Sequence, residues 1–215
     1  MILHNMNFDV NNIIIRQLTI HDVASLLTLE KKAWPLDVQA SEEILYDRIS
    51  TFKEGAFGAF LDDLMIGAAT SQIIRYHDNE MLRSWESLTK RGWISKTHDS
   101  GGNCIHFVSV GIHPQYRNYS IAKQLNEARL QLAKNLNLDY ALTDTRLPGL
   151  KQFLSEDSSR DASTYIEKII EGKIIEPVVS MYLHLGFHPL GLIFNCMNSD
   201  IESLSFGLAM LKNIG

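Results

Sequence analysis

The spacing of apolar positions changes several times along the chain, and each change marks an element. Ile13-Ile14-Ile15-Arg16-Gln17-Leu18 is a short β-rich run, and Thr19 can cap a helix whose apolar positions Val23, Leu26, Leu27 and Ala33 recur at helical spacing. Pro35 ends that helix, and Ser41 opens a second through Ile44, Leu45 and Ile49. The runs Ala56 to Leu61 and Met65 to Ile74 flank the turn pair Asp62-Asp63 and predict a hairpin. Residues 75–102 then break the strand pattern. Met81, Leu82, Trp85 and Leu88 fall at helical spacing, and a polar loop rich in Gly, Ser and His follows, so the segment reads as an insertion over a site.

Cys104 to Ile112 is a strand bounded by Pro114, and from Ser120 the positions Ile121, Leu125, Ala128 and Leu132 make the apolar stripe of a long helix. Tyr140 to Thr143 is the next strand. Strand, tight loop, helix and strand in this order form a βαβ unit, whose loop lies at the carboxyl edge of the sheet where ligands bind. Further on, Thr164-Tyr165-Ile166-Glu167 fits a capping box for a short helix that Gly172 can close. Pro177 suits the first turn of another helix, with the face Val178, Met181, Tyr182 and Leu185 ending at Gly186. Phe187 to Phe194 and Ser203 to Leu211 read as two more strands. No repeat, low-complexity tract or long linker divides the 215 residues, so a single domain over 1–215 is the simplest organisation.

Composition narrows the class. A hydrophobic content of 45% supplies a core, and a formal net charge of -5 argues against nonspecific nucleic-acid binding, which needs clustered cations. No apolar run approaches the roughly 20 residues that span a bilayer. Met1-Ile2-Leu3-His4-Asn5 lacks the charged and apolar regions of a secretory signal. A cytoplasmic protein with neither membrane nor nucleic-acid partner is expected. Cys104 and Cys196 are too isolated for a metal site or disulfide framework, and reduced thiols are expected. His184 and His188 have a metal-like interval, but Gly186 and Phe187 break the helix between them, so no metal is expected.

The candidate chemistry centres on His113-Pro114-Gln115-Tyr116-Arg117-Asn118-Tyr119-Ser120-Ile121-Ala122. A helix amino terminus presents unpaired N–H groups and partial positive charge, a natural seat for a pyrophosphate. This segment resembles the acyl-CoA turn of the GNAT superfamily, written as Arg or Gln, two free positions, Gly, one free position, then Gly or Ala. Arg117 and Ala122 match; Ser120 stands where Gly is usual, and Asn118 where a second Gly is frequent. Asn enters the left-handed region readily, and Ser is a preferred helix cap whose hydroxyl can meet a phosphate oxygen, although a side chain at 120 can crowd the pyrophosphate.

The resemblance continues on both sides, over roughly residues 13–212. Ser84-Trp85-Glu86 with Thr89, Gly92, Thr97 and His98, then Arg146-Leu147-Pro148-Gly149, then Glu176-Pro177-Val178 with Leu185-Gly186-Phe187, is similar to a bacterial subgroup. Members of that subgroup occur alone or fused to a carbon–nitrogen hydrolase domain, for which 215 residues leave no length. The resemblance implies an α/β (α+β) GNAT fold: a mixed, mostly antiparallel central sheet of about six or seven strands, helices on both faces, and a V-shaped splay at the fourth strand. The insertion at about 75–102 would lie between the third and fourth strands. It also implies an acyl-CoA-dependent N-acyltransferase that uses acetyl-CoA as cosubstrate, needs no metal, and acts on an amine of a small molecule or peptide.

Acyl transfer from a thioester needs a neutral amine, stabilisation of the oxyanion, and a proton for the departing thiolate. By the resemblance, Tyr182 matches the tyrosine that approaches the coenzyme sulfur and can protonate the leaving group; the other reading is a core aromatic. Val110, Gly111 and Ile112 would meet the acyl group and pantetheine arm through their backbone, and Arg117, Asn118, Tyr119, Ser120, Ile121 and Ala122 would hold the pyrophosphate. His106 sits where some family members carry a catalytic Glu and can accept the amine proton, or else is a hydrogen-bonded strand histidine. His98, Asp144 and Arg146 are candidates for substrate contacts, Arg146 through a substrate carboxylate or, alternatively, as a salt bridge anchoring its loop. Two other functions are carried alongside. Ser120 suggests a catalytically weak acyl-CoA sensor or protein-interaction module, and the apolar insertion with Trp85 suggests longer acyl groups or an acyl-carrier protein. A homodimer is left open.

Overall fold

The computed structural model describes residues 12–77 and 82–215. Met81, counted into the insertion helix, and the amino-terminal residues weighed against a secretory signal lie outside these. Alternating apolar runs become seven strands: β1 (Ile13–Gln17), β2 (Phe57–Leu61), β3 (Leu64–Ile74), β4 (Cys104–Ile112), β5 (Tyr140–Arg146), β6 (His188–Ile193) and β7 (Gly207–Asn213). They form one sheet in the order β1-β2-β3-β4-β5-β7-β6, antiparallel throughout except for the parallel pair β4 and β5. The helices are α1 (Val23–Ala33), α2 (Glu42–Thr51), α3 (Trp85–Thr89), α4 (Ile121–Asn135), α5 (Leu150–Ser155), α6 (Ala162–Ile170) and α7 (Pro177–His184). Among the described residues no helix is long and apolar enough to cross a membrane.

Both faces of the sheet are covered. Leu26, Leu29, Leu45 and Ile49 of α1 and α2 pack on Phe60, Met65 and Ala68, whereas Ile121 and Leu125 of α4 pack on Ala59, Ile66 and Ala69. The larger core joins Phe107, Leu130, Ala141, Val179, Tyr182 and Met210, and unites α4 and α7 with the centre of the sheet.

Local chemistry sets the helix ends. The Thr19 N–H donates to Asp22 Oδ2 at 2.8 Å in a capping box that opens a 3-10 turn leading into α1. Ser41 caps α2 by accepting from the Ile44 N–H at 3.4 Å. The capping box expected at Thr164 is not the start of α6. Asp161, extended at φ -132°, accepts from the Thr164 N–H at 2.7 Å, and the helix begins at Ala162. A carboxylate in extended backbone already satisfies the amide at Thr164, which leaves that residue inside the first turn.

Two further boundaries and one buried face differ from the sequence expectation. Strand β7 starts at Gly207 because Leu204 and Ser205 adopt φ 51° and 63° and turn the chain. The insertion helix α3 covers only Trp85–Thr89, ended by Lys90 at φ 48°. On α4 the buried face is Ile121, Leu125, Asn126, Arg129, Leu130 and Ala133, with Ala128 and Leu132 only half-buried. Two polar residues thus occupy the face that apolar spacing had assigned elsewhere.

The centre of the sheet opens where it is needed. Strand β4 pairs with β3 as far as Ile112, but with β5 only from Cys104↔Tyr140 to Phe107↔Thr143. Beyond that point β5 is held by β7 alone, through Arg146↔Gly207. The register between β3 and β4 also shifts, Thr70 facing Ser109 and Ser71 facing Phe107, so Val108 is the extra residue of a bulge.

Candidate active site

Backbone groups freed by this splay still need partners. The Val108 carbonyl accepts from Trp85 Nε1 at 2.9 Å, and the Ser109 and Thr70 carbonyls each accept from Arg129 Nη1 at 3.1 Å. Trp85 and Arg129 thus satisfy carbonyls at and beside the β3–β4 bulge. The gap is a cleft of about 1470 Å³ whose wall includes Val110, Ile112, Arg117, Asn118, Ser120, Ile121, Ala122, Asp144, Arg146 and Tyr182.

At one end of the cleft α4 begins. Its first backbone bond runs from the Gln124 N–H to the Ser120 carbonyl at 3.0 Å, so the N–H groups of Ile121, Ala122 and Lys123 have no partner within the helix. Ser120 does not cap them. It sits at φ 58°, ψ 16°, and its hydroxyl makes no capping bond, because capping requires extended backbone at that position. Asn118 is likewise left-handed, at φ 72°. Both positions that depart from the family's glycines thus adopt the backbone that glycine favours. Tyr119 is 39% exposed and stands outside the cleft wall. Arg117 donates to the Ala33 carbonyl at 3.0 Å and ties the turn to the end of α1. Gly111 also stays off the wall. A Cβ there would lie 2.8 Å from Trp34 Nε1 and 3.2 Å from the Ala33 Cβ, so its bare backbone lets α1 close on β4.

Tyr182 faces the same cleft from α7, with its ring against Phe187 at 5.2 Å and Phe107 at 6.3 Å. Its hydroxyl bonds the guanidinium of Arg129. Arg129 is fully buried, lies 3.7 Å over the Phe107 ring, and also bonds Asn126 Oδ1. Burial pushes its pKa down to about 10. Neither Arg129 nor Asn126 stood out in the sequence. The available signal was the spacing Leu125, Arg129, Ala133, which puts a cation on an otherwise apolar face. Arg48, also buried, extends the network with Nε to the Gly92 carbonyl at 3.1 Å and Nη1 to Ser109 Oγ at 3.5 Å.

Three sequence candidates are bonded within the fold, His106 and Arg146 in the second of the two ways each could be read. His106 is fully buried and does not line the cleft. Gln72 Nε2 donates to the Leu88 carbonyl at 2.9 Å, and a carbonyl can only accept, so the amide orientation is set. The same nitrogen donates to His106 Nδ1 at 3.0 Å, which leaves the ring proton on Nε2, donated to Asp144 Oδ2 at 2.9 Å. His106 has no free lone pair with which to take an amine proton. His98 lies outside the cleft wall, its Nδ1 accepting from the Ile73 N–H at 3.1 Å and its ring stacked on Phe52 at 4.8 Å. Arg146 is held by Asp200 in two contacts of 2.6 Å and by Glu202 at 3.1 Å, so the loop-anchoring role describes it. Asp144 does line the cleft; its side chain is 1% exposed and its Oδ1 has no hydrogen-bond partner.

Cys104 and Cys196 are buried free thiols, the latter pushed up to about 12 by burial, so neither is a ready nucleophile. Among the described residues no group of His, Cys, Asp and Glu could hold a metal ion.

No family model matches the chain. Over 205 residues it is 31% identical to the N-acetyltransferase YkwB of Bacillus subtilis (strain 168), covering 93% of this chain and 88% of that protein. It is 28% identical over 200 residues to the probable hydrolase YhcX of the same organism, covering 93% of this chain but only 38% of that protein. Among solved structures, the loading GNATL domain of CurA from Lyngbya majuscula aligns with a TM-score of 0.79 at 22% identity, over 94% of this chain and 98% of that one. The GphF GNAT-like decarboxylase in complex with isobutyryl-CoA aligns with a TM-score of 0.78 at 19% identity, over 94% and 100%. These two likenesses concern the fold, and they share its full extent. Sequence kinship with an acetyltransferase along nearly the whole length, on a sheet splayed at its fourth strand, shows that this chain belongs to the GNAT superfamily of N-acetyltransferases.

Proposed function

We propose that the chain moves an acetyl group from acetyl-CoA to an amine of a small molecule or peptide by direct transfer within a ternary complex. The observation that carries this is one cleft in which an uncapped helix amino terminus, a splayed strand and a buried tyrosine face each other. The pyrophosphate would sit on the N–H groups at the start of α4, with Asn118 and Ser120 shaping the turn and Arg117 tying it to α1. The pantetheine arm would lie along Val110 and Ile112, whose backbone can also donate to the thioester oxygen. The amine nitrogen attacks the thioester carbon, a C–N bond forms, and the C–S bond breaks. Tyr182, oriented by Arg129, gives its proton to the leaving sulfur; the proton lost from nitrogen leaves on the acceptor side, and the phenolate takes a proton back from solvent before the next turnover.

Titration calorimetry with acetyl-CoA and a thiol-release assay over a panel of primary amines test this reading. Binding and amine-dependent release of CoA are expected. Tyr182→Phe should cut kcat by about 10²-fold or more with little change in acetyl-CoA affinity. Binding without release for any amine would remove the transferase reading and leave an acyl-CoA sensor. A larger acyl group is the second reading, favoured by the likeness to a decarboxylase solved with isobutyryl-CoA. Competition between acetyl-, isobutyryl- and octanoyl-CoA in the same assay ranks the two.

A further inference from the structure

Strands β4 and β5 stop pairing at Phe107↔Thr143, and the cleft begins there. Its inner end is walled by Val108, Ser109 and Thr143 of the two strands and by two side chains from outside the sheet, Trp85 of α3 and Arg48 of α2. The outer end is the start of α4 at Ile121. An acyl-CoA carries its parts in a fixed covalent order. With the pyrophosphate on α4 and the pantetheine arm running back along Ile112 and Val110, the acyl chain enters first and points at the inner end.

Trp85 is fixed at that end. Its Nε1–H donates to the Val108 carbonyl at 2.9 Å, which anchors the indole to the residue where the strands part. Its own carbonyl accepts from Thr89 Oγ1 at 2.8 Å. The next residue is tied twice to the connection between β6 and β7: the Glu86 N–H donates to the Cys196 carbonyl at 3.2 Å, and Glu86 Oε1 accepts from the Asn198 N–H at 2.8 Å. The ring packs against both the cluster that contains Val108 and the cluster that contains Cys196. A close-packed ring held by its own hydrogen bond does not swing aside for a longer chain.

Arg48 adds a second barrier. Its guanidinium is buried, lies 5.9 Å from the centre of the indole, and bonds the Gly92 carbonyl at 3.1 Å and Ser109 Oγ at 3.5 Å. Methylene groups pushed past the indole would press on a charged group and offer it no hydrogen bond, which is unfavourable. An apolar ring in an insertion suggests room for a longer chain; at the closed end of the cleft it is instead the wall that such a chain would meet.

Resting on the acyltransferase reading above, we propose that Trp85 is a specificity-determining residue that ends the acyl pocket, admitting acetyl and other short acyl groups and excluding straight chains such as octanoyl. Trp85 makes no bond and moves no proton in the reaction. It acts by occupying space.

Two substitutions separate its bulk from its hydrogen bond. Trp85→Phe loses the indole N–H but keeps a ring at the inner end, and Trp85→Ala loses both. Calorimetry measures the affinity of each protein for CoA, acetyl-CoA, butyryl-CoA and octanoyl-CoA, with no amine present, so the acceptor need not be known. Wild type should bind octanoyl-CoA at least about 10-fold more weakly than acetyl-CoA, since one methylene in an apolar pocket is already worth about that much. Trp85→Phe should keep this order. Trp85→Ala should reverse it, binding octanoyl-CoA about 10-fold more tightly than acetyl-CoA as the added methylenes become buried. A wild type that binds the two equally overturns the proposal. So does a Trp85→Ala variant that loses the same factor for all four ligands, the result of a residue that only braces the strand. Wild type that binds none of the four removes the acyltransferase reading itself. Should Trp85→Ala not fold, Trp85→Leu takes its place, with an expected gain of about 5-fold or more in affinity for butyryl-CoA relative to acetyl-CoA. An unchanged ratio there overturns the proposal.

Discussion

Ser120 holds φ 58° at the head of α4 while its hydroxyl leaves the helix uncapped. The left-handed conformation costs a non-glycine residue about 1 kcal/mol. Ser120→Gly should therefore raise stability by about 0.5–1 kcal/mol in urea denaturation. Because the side chain is exposed and the first-turn N–H groups are unchanged, acetyl-CoA affinity should stay within about 3-fold. A much tighter complex would show instead that the serine crowds the pyrophosphate. The resemblance to the acyl-CoA turn located the turn and marked Asn118 as a position where glycine is frequent, and Asn tolerates the left-handed backbone found there. The roles of His98 and His106 were not legible in the sequence, because a histidine's chemistry depends on which donors face its two nitrogens. Those donors, Gln72 and the Ile73 N–H, come from a different strand.

At the scale of elements, helix ends answer to a single side chain. Asp161 caps α6, so Asp161→Ala should cost about 1 kcal/mol, whereas Thr164→Ala should cost only a few tenths, both read from denaturant midpoints. Equal losses would mean that the Thr164 box forms after all. The strands and most helices could be read from periodicity because a half-buried element repeats its environment every second or every third to fourth residue. α4 shows the limit of that reading. Its buried face includes Asn126 and Arg129, and no hydrophobicity pattern marks a polar side chain whose partners are the carbonyls of Thr70 and Ser109 on other elements. The insertion is similar. Trp85 was counted as one apolar position of a helix, yet its indole N–H holds the carbonyl of Val108 where the sheet parts.

The whole molecule depends on that parting. Arg129 is an isolated buried cation whose partners are two carbonyls, an amide oxygen and a phenol. Removing it leaves the carbonyls unmet. Arg129→Met should destabilise the fold by about 2–4 kcal/mol by chemical denaturation. In the fraction that folds, it should lower kcat more than acetyl-CoA affinity, since Tyr182 loses its orienting bond. A variant as stable and as active as the parent would show that the splay stands without it. The sequence by itself determined the order of elements, the βαβ unit, the place of the turn before α4 and the kinship, since each rests on local spacing or on residues adjacent in the chain. Only the tertiary structure decided which polar groups are spent and which remain open. Arg146 is consumed by Asp200, His106 is locked by Gln72, and one oxygen of Asp144 is buried without a partner. The physical reason is that hydrogen-bond capacity is a property of each residue, whereas its satisfaction depends on groups that only folding brings within 3 Å or so.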